Sequence, residues 1–229
     1  MSIRRMKKQV FDLLRQDDLD GGLLAISAMP PRQVINPLFG LLYHTDARVH
    51  WHAVTAMGVV AARLAGQDFE AARVIMRRLM WNLNDESGGI GWGSPEAMGE
   101  IMASQGRLAE EYAAILISYL NPEGNYLEHE GLQQGALWGF GRLARERPLL
   151  AAAGAPFLHP YLASPETGLR GLAIWAATPL IDPSLRDLIR PLRSDPTIIM
   201  LYSERQLRQV SIADLARAAL AGGLPAPRS

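Results

Sequence analysis

"NPLFGLLYHTDARVHWHAVTAMGVVAARLA", residues 36–65, holds two helical patterns around one turn. Pro37 stands near the start of the first pattern. Asp46 occupies the turn, Arg48 and Val49 follow it, and the second pattern is rich in Ala. Its core motif recurs. "AMGVVAA" begins at Ala56, "AMGEIMA" at Ala97, "ALWGFGR" at Ala136 and "AIWAATP" at Ala173, spacings of 41, 39 and 37 residues. Small residues recur in each copy, where two helices would approach closely. "HWHAVTAMG" also lies over "GWGSPEAMG", which sets Trp51 on Trp92. A fixed period of roughly 40 residues is the mark of stacked helical hairpins.

The rest of the chain agrees with helices. Val10, Leu13 and Leu14 share one helical face, and Ile115, Leu116, Tyr119 and Leu120 share another. Breakers return between the patterns, among them Pro30-Pro31, Gly66, Gly88-Gly89 and Pro122. Alternating apolar and polar runs are scarce. "TIIMLY" at 197–202 is the best strand candidate, and we read it as a short buried helix. "LRQVSIADLARAALA" reads as a final amphipathic helix with Ser211 as its cap.

The unit at 36–65, with its Asp-x-x-Val/Arg pattern at Asp46, Arg48 and Val49, resembles a repeat of the HEAT/armadillo type. The other units depart from it. Glu128 stands where a basic residue would, and the unit around Arg170 is shorter. The resemblance covers about residues 20–190. It implies an all-α fold, an α/α right-handed superhelix of HEAT-like helical hairpins. We expect about four to five helix pairs in a single domain over residues 1–221, with 222–229 a flexible tail. A helix from about Met6 and the segment Pro196–Leu220 would cap the stack.

One loop is richer than a turn requires. "NDESGGIGWGSPEAMGEI", residues 84–101, resembles the hallmark of an uncharacterised bacterial family of HEAT-repeat-like proteins with no established activity. Its glycines lack the spacing of a phosphate loop and no strand precedes them. Asp85 suits a turn cap, whereas Glu86 is a residue a turn does not need. Ser94 reads as an N-cap, Pro95 as the first helical residue and Glu96 as a first-turn acid, with Glu100 one turn on. An anion there would compete with Glu96, which argues for a cationic or hydrogen-bonding ligand. Stacking in register would bring His50 and Trp51 to one side of this loop and Glu130 to the other. We therefore take Asp85, Glu86, Trp92, Glu96, Glu100, His50, Trp51 and Glu130 as the candidate ligand- or partner-binding set.

Composition narrows the classes. Of 229 residues, 23 are basic and 23 acidic, and this balance argues against a nucleic-acid partner. There is no Cys, which excludes thiolate chemistry and Cys-based metal sites. His50 and His52, two apart on a helix, would face apart, and no HExxH is present, so we expect no metal site and no cofactor. No apolar run approaches the roughly 20 residues of a membrane span or resembles a signal peptide, and we expect a cytoplasmic protein. The expected function is a scaffold holding a protein segment, or a small polar or cationic ligand, on its concave surface rather than an enzyme. An enzyme or metal-assisted site on the Asp85–Glu100 loop is the alternative, and a HEAT-like DNA-binding protein the second.

Overall fold

Asp46 starts the longest of the described helices, and it does so with its side chain. Its Oδ1 accepts the backbone N–H groups of Arg48 (2.9 Å) and Val49 (3.3 Å), donors that the first helical turn leaves orphaned. In the computed structural model, which describes residues 3–84 and 91–223, the chain forms two compact units, residues 1–112 and 113–229. Each is described by itself.

The first unit contains α1 (Ile3–Leu14), α2 (Leu19–Ser27), α3 (Pro31–Leu41), α4 (Ala47–Gln67), α5 (Phe69–Leu83) and α6 (Ser94–Ser104). The unit boundary falls within α7 (Gly106–Ser118). Helix α3 begins at Pro31, so Pro37 lies in its interior rather than near its start. There Pro37 lacks one N–H of the ladder. Asp68 divides α4 from α5. Its backbone N–H closes α4 on Leu64 O, and its side chain caps α5 by accepting from Ala71 N at 3.0 Å. Helix α5 is amphipathic, with Ala72, Ile75, Met76 and Leu79 buried on one stripe. Every residue of helix α6 from Ser94 to Ala103 is buried, Glu96 and Glu100 keeping 8 % of their surface. It lies against α4, and Gly58 makes the approach. A Cβ at Gly58 would stand 2.7 Å from Glu100 Cγ and 3.1 Å from Ser104 Oγ.

The second unit combines one long helix with several shorter ones. It contains α8 (Glu130–Glu146), α9 (Pro148–Ala151), α10 (His159–Leu162), α11 (Thr167–Ala177), α12 (Pro183–Ile189) and α13 (Ile212–Leu220). Helices α8 and α11 pack through Gly141, whose added Cβ would stand 2.6 Å from Trp175 Cε3 and 2.9 Å from Ala176 Cα. Trp138 stacks on Trp175, with centroids 5.8 Å apart.

The segment read as a buried helix is a strand. An antiparallel hairpin of β1 (Ile198–Ser203) and β2 (Gln206–Ser211) pairs Ile198 with Ser211 and Ser203 with Gln206. Side chains alternate: Ile199 and Leu201 are buried, while Ile198 and Met200 are each 52 % exposed. Tyr202 O accepts Trp138 Nε1–H at 2.8 Å, and Ile199 fills the space over Gly171. The final helix is shorter than the sequence reading. Leu207–Val210 are strand, and α13 starts after Ser211, whose Oγ accepts from Asp214 N at 3.0 Å.

Candidate functional site

The first turn of α6 and the first turn of α4 bring three of the candidate residues together. Gly93 adopts φ +73°, the left-handed region that glycine tolerates. It packs closely, since a Cβ there would stand 2.8 Å from Leu42 O and 3.1 Å from His50 Cε1. Gly93, not Ser94, is the N-cap of α6. Ser94 is the first helical residue, fully buried, and its Oγ has no hydrogen-bond partner.

Two residues on, Glu96 is 8 % exposed and faces α4. Its Oε1 stands 4.0 Å from His50 Nε2. Its Oε2 is buried and makes no hydrogen bond. Burial pushes the Glu96 carboxyl above the ordinary value of 4.5, a shift that only a protonated His50 would oppose, and then in part. On the other side of its ring, His50 Nδ1 lies 2.8 Å from Leu42 O. A carbonyl only accepts, so Nδ1 carries the proton and, in the neutral ring, Nε2 presents a lone pair toward Glu96. The Trp51 ring stands edge-on to the His50 imidazole at 5.0 Å. Trp92, at the mouth of α6, is 37 % exposed. Glu100 is buried one turn further along α6, against Gly58 of α4.

His52 goes elsewhere, as the two-residue spacing implies. Its Nδ1 lies 2.7 Å from Leu14 O, and burial lowers its pKa below 6.5. Asp85 and Glu86 lie outside the described residues. Glu130 belongs to the second unit, in the first turn of α8. It is exposed, and its Oε1 accepts from Gln134 Nε2 at 2.9 Å. His129 caps that helix by accepting from Gly131 N at 3.1 Å. Sequence reasoning missed the Leu42 carbonyl, which sets the His50 tautomer. A backbone acceptor eight residues away leaves no side-chain signature.

No family model matches the chain, and no curated protein matches it by sequence. Solved structures do match. An engineered protein aligns over 98 % of this chain and 99 % of its own, with a TM-score of 0.54 and 17 % identity. A designed armadillo repeat protein in complex with a (KR)4 peptide aligns over 97 % and 99 %, with a TM-score of 0.53 and 16 % identity. Computationally designed armadillo repeat proteins for modular peptide recognition align over 97 % and 100 %, with a TM-score of 0.50 and 17 % identity. With the helix order and the close α4–α6 and α8–α11 packing above, these likenesses give the chain an all-α, HEAT/armadillo-like helical-repeat fold.

Proposed function

We propose that the chain is a binding scaffold that holds a protein segment on the face of its first unit carrying His50, Trp51, Trp92, Glu96 and Glu100. Glu96 carries this reading. A carboxyl that is buried, lacks a hydrogen bond at Oε2 and, among the described residues, has no Lys or Arg paired with it is costly to a fold. Such groups concentrate where a ligand completes them. The neighbouring tryptophans support a protein partner, since half-exposed Trp is enriched among residues that dominate binding energy. Designed armadillo proteins of similar fold take peptides, which makes a peptide segment the natural occupant to test first.

A display selection tests it. Random peptides are selected on the wild type and on Trp92→Ala, with both proteins first checked as folded by circular dichroism. Enrichment of peptides on the wild type that Trp92→Ala fails to retain is the expected result. The same peptides recovered equally by both proteins would remove this face from the function.

A further inference from the structure

Resting on that reading, we infer that the gap between His50 and Glu96 receives the primary ammonium of a lysine side chain from the bound segment. With the His50 ring neutral, the two facing atoms are both acceptors. His50 Nδ1–H is committed to Leu42 O, so neutral Nε2 offers a lone pair, and Glu96 Oε1 offers another. At 4.0 Å they are too far apart to share a proton directly. One donor nitrogen at about 2.9 Å from each would see them roughly 90° apart, within reach of two N–H bonds of a single –NH₃⁺ group. A third N–H remains, and Glu96 Oε2 on the same carboxyl is buried and unpartnered.

Other occupants fit less well. A water could donate to both acceptors but would leave the carboxylate charge uncompensated in a desolvated place. A guanidinium presents a planar fork matched to the two oxygens of one carboxylate. Here the facing acceptors belong to two side chains, which keep only 17 % and 11 % of their surface. An ammonium on a slender four-carbon stem suits the small surface that the pair still exposes. Burial already pushes the Glu96 carboxyl up, and a cation in the gap opposes that shift.

The test uses immobilised full-length protein and four octapeptide pools, randomised except at one central position. That position is fixed as Lys, Arg, acetyl-lysine or norleucine. The wild type should retain the Lys pool about tenfold better than the acetyl-lysine and norleucine pools, and better than the Arg pool. Glu96→Gln, nearly isosteric, should reduce that preference to about twofold or less. Trp92→Ala should weaken retention of every pool. If the wild type retains all pools alike, or Arg as well as Lys, the lysine site is wrong. An unchanged Lys preference in Glu96→Gln also overturns it. In each of those cases a surviving dependence on Trp92 leaves the scaffold reading standing. Loss of the Trp92 dependence sinks the scaffold reading itself. The acetyl-lysine pool tests charge on the wild type alone, so the result does not hang on any variant folding.

Discussion

Glu96 ties stability to pH in a direction opposite to most carboxylates. Its folded pKa is raised by burial above the ordinary 4.5, so the folded state binds more protons than the unfolded chain across that interval. Stability therefore falls as pH rises from 4.5 through the raised value. Glu96→Gln removes this loss. Its melting temperature should exceed that of the wild type near pH 8 and converge with it near pH 4, as measured by thermal denaturation across pH. A variant less stable at pH 8 than at pH 4, relative to wild type, would mean that the carboxylate is paired. His52 tilts the other way. Its lowered pKa means that stability is lost as pH falls below 6.5, so the difference between Glu96→Gln and wild type is the measurement that isolates Glu96. Ser211 offers a simpler residue-scale test. It caps α13, and Ser211→Ala should cost about 1 kcal/mol in urea unfolding. That cap was legible in the sequence because capping needs only a Ser and the N–H groups just after it. The reading of Ser94 as a cap failed because Gly93, free to take positive φ, turns the chain one residue earlier.

Helices pack where the recurring small residues allow. Gly141→Ala places a methyl group against Trp175 and Ala176, so α8 and α11 must separate or Trp175 must turn. The expected cost is about 1–3 kcal/mol by chemical denaturation, with the near-ultraviolet tryptophan signal perturbed. An unchanged midpoint would show that the helices slide freely at this crossing. The hairpin makes the opposite kind of prediction. Its two turn residues, Glu204 and Arg205, both have positive φ (51° and 60°), a conformation that favours Asn and Gly. The pair Glu204→Asn, Arg205→Gly should stabilise the protein by about 1 kcal/mol, read as a higher melting temperature. The same two residues explain why the hairpin was missed. No Asn-Gly or Asp-Gly marked the turn, and "TIIMLY" alone is too short for its period to separate strand from helix. Trp138 and Gly171, distant in sequence, decide the matter by holding Tyr202 and Ile199 in place.

At the scale of the whole chain, 23 basic residues balance 23 acidic ones. Duplex DNA should therefore give no mobility shift at about 150 mM salt, since affinity for phosphate backbones comes from released counterions. A shift under those conditions would revive the DNA-binding alternative. The recurrence near 40 residues and the helical periodicity determined the all-α repeat fold from the sequence alone. Both are local patterns, written in residues three, four or one repeat apart, and they survive without knowledge of long-range contacts. The sequence also marked a candidate stretch, because its glycines, Trp92 and Glu96 exceed what a turn needs. The tertiary structure alone decided which of those residues meet. It set Glu96 against His50, turned His50 Nε2 toward it by holding Nδ1 on the Leu42 carbonyl, and left Ser94 and Glu96 each with a buried polar atom unpaired. It also assigned Glu130 to a solvated helix start in the second unit. Desolvation and tautomer choice depend on atoms that neighbour in space and not in sequence, so no reading of the chain by itself contains them.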